Sequence, residues 1–182
     1  MTASAHARMT ADEFIAWAMA RPKGERYELV AGEIVAMAPE RSAHALTKLT
    51  VAMRLVEAVK AAKLPCTVYP DGMAVRVDAS TVYEPDAMVR CGTPLPGDAI
   101  EVTDPLIVVE VLSPSTRARD AGAKLEDYFR LPSMRHYLLV KTENRTVIHH
   151  ERGGSGAIST RIVGEGVVAL DPPGIELRDI FG

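Results

Sequence analysis

The sequence predicts a single α/β domain built on a mixed β-sheet. Three observations point there. Residues 44–63 carry apolar side chains at spacings of three and four, the pattern of a long amphipathic helix. Residues 106–112 read LIVVEVL, a run apolar enough for a central strand buried on both faces. A helix-like stretch over about residues 119–131 then leads to a second apolar strand, HYLLV at 136–140, as a crossover helix would.

The elements follow in order. Thr10 and Glu13 form a capping box, and Phe14, Ile15, Trp17 and Ala18 fall on one face of the helix it opens. Pro22 and Gly24 end that helix. RYELVAGEIVAMAP, residues 26–39, holds two β-rich runs around Ala31-Gly32 and reads as a hairpin, with the glycine supplying positive φ. Ser42 is placed to cap the long helix, Leu46, Leu49, Met53, Val56 and Val59 form its apolar stripe, and Pro65 marks its end. Strand-like segments cover 67–69, 73–77 and 82–89, and CGTPLPGD at 91–98 is a loop. Ser113-Pro114-Ser115 breaks the LIVVEVL strand. The crossover helix turns Leu125, Tyr128 and Phe129 inward and stops at Pro132. Strands near 146–150, 157–163 and 166–170 make a C-terminal β extension that ends at Pro172-Pro173. The order is N-terminal helix, hairpin, long helix, three strands, helix, strand and further β. One domain spans 1–182, with its core at about 44–142.

Composition narrows the function classes. Of 182 residues, 47% are hydrophobic and 25% charged, enough for a packed core without staples. The formal net charge of −3 gives no global basic field, so any phosphate binding must come from a local patch. Cys66 and Cys91 have no metal or redox spacing and read as two buried thiols in a reducing cytoplasm. The N-terminus has no long apolar segment of signal-peptide type, and no apolar run approaches the roughly 18–20 residues that cross a bilayer. A soluble cytoplasmic protein is expected. No Walker loop, GxGxxG or HExxH occurs, and no aromatic series offers a stacking platform for single strands.

Glu110 is the most informative position. A carboxylate inside LIVVEVL is costly to bury unless something pairs with it, so it marks a site, or else it points out at the strand end or meets an arginine. Asp86 follows Pro85 inside the strand-like 82–89 segment, where a local distortion would re-aim it out of the ladder; a plain turn aspartate is the alternative. Two such acids on neighbouring strands can share Mg²⁺ or Mn²⁺, which polarises a phosphoryl oxygen and activates a bound water. Lys124 is the candidate cation beside them, against the default of a solvated lysine. It shares a helix face with Tyr128 at i+4, and Lys141 is the runner-up. Glu33 could approach the acids from the hairpin or simply lie on the surface. His44 and Arg41, at the start of the long helix, could meet phosphate, although His44 could equally cap or pack. Arg117, Arg119, Lys124, Arg130 and Arg135 could contact a phosphate backbone, but interleaved acids make them as well an ordinary charged helix face. His149 and His150 read as structural.

YELVAGEIVAMAP, His44, VYEPDAMV and LIVVEVLSPSTRARDAGAKLEDYFRLPSMRHYLLV together resemble a bacterial group of restriction-endonuclease-like proteins in the PD-(D/E)XK nuclease superfamily. The likeness spans about residues 10–181 and is most specific from Glu110 to Tyr128. It implies the restriction-endonuclease-like core of helix, three strands, helix and strand. It implies Asp86 and Glu110 as metal ligands, with the Val111 carbonyl as a third, and Mg²⁺-dependent hydrolysis of phosphodiester bonds. The superfamily's usual lysine position holds Leu112, so the resemblance implies a lysine moved to the next helix, Lys124. The expected function is a Mg²⁺- or Mn²⁺-dependent DNA endonuclease. Asp86, Glu110, Lys124 and Glu33 are its catalytic candidates, and His44, Arg41, Tyr128 and Arg117 its substrate contacts. By analogy with nucleases that cut both strands, a homodimer is expected. The alternative is a non-cleaving nuclease-fold module for nucleic acid or a protein partner.

Overall fold

The computed structural model describes residues 8–112, 120–164 and 166–181. Helix α1, Ala11–Met19, opens on the capping box. Thr10 Oγ1 accepts from the Glu13 amide at 3.3 Å, and Glu13 Oε2 accepts from the Thr10 amide at 2.8 Å. Strands β1 (Tyr27–Val30) and β2 (Glu33–Ala36) form the hairpin, with φ of 49° at Ala31 and 84° at Gly32. Two positive φ values in a two-residue turn suit the twist of the strands it joins.

Helix α2, Ser42–Ala61, differs from its sequence reading in two ways. Its N-cap is Arg41, not Ser42, and no side chain caps it. Its buried face shares only Val59 with the predicted stripe: Leu46, Leu49 and Met53 are 62%, 57% and 52% exposed. The face turned inward carries Lys48, Val51, Leu55 and Val59. Both faces repeat at helical spacing. The lysine made the true one look polar, and it is tolerated inside because acidic side chains surround it.

The remaining elements are β3 (Cys66–Pro70), β4 (Ala74–Asp78), β5 (Thr81–Tyr83), β6 (Ala87–Cys91), β7 (Glu101–Val102), β8 (Ile107–Leu112), α3 (Asp120–Tyr128), β9 (His136–Lys141), β10 (Thr146–Arg152), β11 (Ile158–Val163), β12 (Val168–Leu170) and β13 (Ile175–Leu177). They build a six-stranded sheet ordered β11-β10-β9-β8-β6-β3, a five-stranded sheet ordered β2-β1-β5-β4-β7 and the pair β12-β13. β8 and β9 are parallel and α3 lies between them in the chain, while β6 and β8 are antiparallel. The main sheet is therefore mixed, as predicted. The segment 82–89 is not one strand: β5 belongs to the small sheet and β6 to the large one.

Layering explains the apolar run at β8. On one face of the large sheet, Val51, Leu55 and Val59 of α2 pack with Val89, Ile107, Val109, Val111 and Val140, and β12 and β13 add Leu170 and Leu177. On the other, Met88, Val108, Tyr137 and Leu139 meet Val75, Tyr83 and Val102 of the small sheet and Tyr128 and Phe129. Each fully buried aliphatic or aromatic side chain contributes about 1.5–3 kcal/mol, so a central strand covered on both sides carries much of the fold. Among the described residues, no helix is long and apolar enough to cross a membrane.

The thiol reading is corrected. Cys66 and Cys91 stand opposite each other where β3 pairs with β6, and a disulfide joins them. The linear spacing hides this, because the chain passes through the small sheet before it returns. His149 sits in a buried relay. Arg161 Nη2 donates to His149 Nδ1 at 3.3 Å, His149 Nε2 to His136 Nδ1 at 2.9 Å, and His136 Nε2 to the Pro172 carbonyl at 2.8 Å. That order of donors leaves both imidazoles neutral. Burial, with the neighbouring His136 ring and the Arg161 guanidinium opposing a second proton, lowers His149 to about 3.

Candidate metal centre

Glu84-Pro85-Asp86 is the crossing between the two sheets, since β5 ends at Tyr83 and β6 begins at Ala87. Proline carries no amide hydrogen, so it fits where neither ladder needs a donor. The Asp86 amide then donates to the Val109 carbonyl at 3.1 Å. The pairing of Ala87 with Val109, continued by one step, sets Asp86 opposite Glu110. Asp86 is near enough for its charge to act on Glu110. Asp86 is buried; its Oδ2 accepts from the Val111 amide at 2.6 Å and its Oδ1 lies 3.0 Å from Lys48 Nζ.

Glu110 is held from α3. Its Oε1 accepts from Tyr128 Oη at 2.9 Å and from Lys124 Nζ at 3.0 Å. Lys124 also donates to Glu28 Oε1 at 2.8 Å and lies 4.9 Å from the centre of the Tyr83 ring. Glu28 arrives from β1 by simple alternation. Leu29 turns toward α1, which sends Glu28 to the opposite face. The Glu84 amide donates to Glu28 Oε1 at 3.0 Å.

The electrostatics follow from this crowding. Burial pushes the Glu110 carboxyl up, Lys124 opposes that, and Asp86 and Glu28 add to it, so it titrates at about 7. Burial acts to lower the Lys124 ammonium, but Glu110 and Glu28 outweigh it and hold its pKa above the ordinary lysine value. Tyr128, buried beside Glu110, is raised well above a normal phenol.

A third shell of contacts comes from α2. His44 Nε2 donates to the Val111 carbonyl at 2.6 Å and lies 4.0 Å from Asp86 Oδ2, and its Nδ1 is 3.5 Å from Glu40 Oε2. One turn on, Lys48 reaches Glu40, Asp71 and Asp86. Arg26 donates to Glu40, Asp71 and Glu84 from the far side.

The structure thus brings Asp86, Glu110, Val111, Lys124, Tyr128 and His44 together. Glu33 is elsewhere: it is exposed at the turn end of the hairpin, opposite Val30, and Glu28 is the hairpin acid that reaches Lys124. Arg41 is exposed at the start of α2, and Lys141 ends β9 opposite Leu112. Arg117 and Arg119 lie outside the described residues. The sequence reading missed Lys48. The signal was present: Lys48 is i+4 from His44 and shares its helix face.

The donor set suits a hard divalent cation. Two neighbouring carboxylates and the Val111 carbonyl are oxygen donors of the kind and number that Mg²⁺ or Mn²⁺ takes from protein, keeping water for the rest. No three His, Cys, Asp or Glu side chains converge on one point among the described residues.

Comparisons with known proteins bear on this chemistry. The family model Uma2, described as a putative restriction endonuclease, matches residues 11–178. Two uncharacterized proteins of Synechocystis sp. are similar in sequence. One is 25% identical over 150 residues, covering 82% of this chain and 77% of its own. The other is 26% identical over 145 residues, covering 78% and 81%. A crystal structure described as a putative nuclease belonging to DUF820, from Anabaena variabilis, superposes with a TM-score of 0.74 over 95% of this chain and 97% of its own. At 16% identity that likeness speaks for the fold.

Proposed function

The chain belongs to the Uma2 family of putative restriction endonucleases, and from that premise we propose that it is a Mg²⁺- or Mn²⁺-dependent endonuclease that hydrolyses phosphodiester bonds in DNA. Asp86, Glu110 and the Val111 carbonyl would hold the ion, with His44 giving up its bond to that carbonyl. Bound there, the ion supplies a Lewis acid for the phosphoryl oxygen and a water of lowered pKa.

The chain's own groups do the rest. Tyr128 and Lys124 both fix Glu110 Oε1, which sets the carboxylate's orientation. The Lys124 ammonium stays charged, so it can orient the attacking water and offset negative charge on the phosphoryl group. Glu28 anchors that ammonium from the second sheet, and it is this hairpin acid, rather than Glu33, that approaches the site. His44 and Arg41, at the start of α2, would meet a backbone phosphate; Arg117, given the same part from the sequence, lies outside the described residues.

The observation that carries the reading is the contact between Lys124 and Glu110. Leu112 occupies the usual lysine position, yet a buried ammonium from α3 stands 3.0 Å from the second acid. Plasmid cleavage in Mg²⁺ and Mn²⁺ tests it. Wild type should nick or cut, and Asp86→Asn, Glu110→Gln and Lys124→Met should lose at least about a hundredfold, as removal of a group that stabilises transition-state charge does. If wild type cuts no DNA in either metal, or the folded variants cut as well as it does, the reading fails.

One observation favours a second reading. The Val111 carbonyl and both oxygens of Asp86 are already satisfied by His44, the Val111 amide and Lys48. A module that binds nucleic acid or a protein partner without cutting would look the same. DNA affinity that falls steeply with salt, with no cleavage in either metal, would identify the nucleic-acid form. A homodimer is the assembly that would let the nuclease cut both strands.

A further inference from the structure

Lys48 is a buried lysine on the inward face of α2, only 5% exposed. Its ammonium touches three carboxylates: Asp86 Oδ1 at 3.0 Å, Asp71 Oδ2 at 2.6 Å, and Glu40 Oε1 in closer contact. Only Asp86 belongs to the candidate metal centre. Glu40 and Asp71 lie outside it, bridged by Arg26 at 3.2 and 3.0 Å. Four acids, Glu40, Asp71, Glu84 and Asp86, here face two permanent cations, Lys48 and Arg26.

We propose that Lys48 is a displaceable internal counter-ion: it holds Asp86 in the metal-free protein and, when a divalent cation enters, releases that oxygen and withdraws onto Glu40 and Asp71. The inference rests on Asp86 being a metal ligand, as argued above. An ammonium has three donors and no acceptor, so it must stay among acids once buried. Losing Asp86 leaves Lys48 with two carboxylates already within hydrogen-bond distance. The movement needs no unpaired buried charge, the usual obstacle to breaking such a pair. Lys124 differs, because among the described residues it has Glu28 alone besides Glu110. Lys48 is thus a positioning residue that competes for the site. It keeps Asp86 ordered, and it weakens ion binding by a full positive charge at contact distance.

Calorimetric titration with Mn²⁺ at pH 8 on the full chain tests this, in wild type, Lys48→Met, Lys48→Arg and Asp86→Asn. With the competitor gone, Lys48→Met should bind Mn²⁺ about tenfold or more tighter, while Lys48→Arg should stay within about threefold of wild type, since it keeps the charge. A purely structural lysine would give the opposite: looser binding, or none, as Asp86 loses its support. Equal or weaker binding by Lys48→Met overturns the inference and leaves the metal centre standing. No Mn²⁺ binding by either wild type or Lys48→Met overturns the metal centre, and the inference falls with it. Should Lys48→Met not fold, the side-chain nitrogen resonance of Lys48 is followed by NMR in the unaltered protein as Mg²⁺ is added. A saturable shift that vanishes in Asp86→Asn supports displacement. Mg²⁺ binding that depends on Asp86 without moving that resonance refutes it.

Discussion

Replacing Glu110 with glutamine should stabilise the metal-free protein, and only at high pH. A carboxyl that ionises at about 7 in the fold, against 4.5 ordinarily, costs about 3 kcal/mol to ionise in place. The folded value lies above the unfolded one, so the stabilising contribution of the protonated acid is complete below pH 4.5 and is lost as pH rises through 7. Glutamine stays neutral and can still accept from Tyr128. The opposing effect is Lys124, which would keep Glu28 as its one acid among the described residues, and breaking a buried pair from one side often costs about 3–5 kcal/mol. That attraction is already counted in the raised Glu110 value, where burial, Asp86 and Glu28 overcome it, so glutamine wins. Urea unfolding in EDTA should give equal stabilities near pH 4.5 and an advantage of about 3 kcal/mol for Glu110→Gln at pH 8.5, with no change in m. Mg²⁺ at a hundred times its dissociation constant should return about 2.7 kcal/mol to wild type and nothing to the variant. A variant less stable than wild type at pH 8.5, or an offset that does not change with pH, would refute the reasoning.

Three further outcomes are expected. Reducing the Cys66–Cys91 bridge, which closes a separation of 25 residues, should lower unfolding stability by about 3 kcal/mol in denaturant titration. His149 titrates at about 3 in the fold and near 6.5 when unfolded, so the stability it contributes is present above pH 6.5 and disappears as pH falls toward 3, up to about 5 kcal/mol in all. His149→Gln should flatten that part of the acid-unfolding curve. Changing Leu46, Leu49 and Met53 together to glutamine should move stability by less than about 1.5 kcal/mol, because all three are exposed; a larger loss in thermal or urea unfolding would show that this face is covered.

What the sequence disclosed depended on how local each signal was. The capping box of α1, the Ala31-Gly32 turn and the crossover from β8 through α3 to β9 each rest on a few adjacent residues, and all were readable. Asp86 and Glu110 stood out because each breaks an apolar strand pattern, and Lys124 with Tyr128 because they share a helix face. The misses are long-range. Which stripe of α2 turns inward depends on acids at positions 40, 71 and 86, far apart in the chain. The Cys66–Cys91 bridge exists only because β3 and β6 become neighbours after an excursion through another sheet. Two hairpin acids five residues apart, Glu28 and Glu33, look alike in sequence. Only pairing with β5 decides which one is buried.

The three-residue passage Glu84-Pro85-Asp86 has a mechanical consequence. Three residues reach about 10 Å at full stretch, so the two sheets are tethered with almost no slack. Asp86 lies on the tether, Glu110 on the large sheet, and Glu28 on the small one, joined to Glu110 through one ammonium. Any breathing of one sheet against the other must therefore deform the acidic cluster before it frays either edge. Amide hydrogens of β1 and β5 should exchange in concert with those of β6 and β8 rather than as a looser unit. Chemistry at the seam is coupled to the rigidity of the whole molecule: a group that tightens the cluster stiffens both sheets, and a lesion that loosens either sheet detunes the cluster.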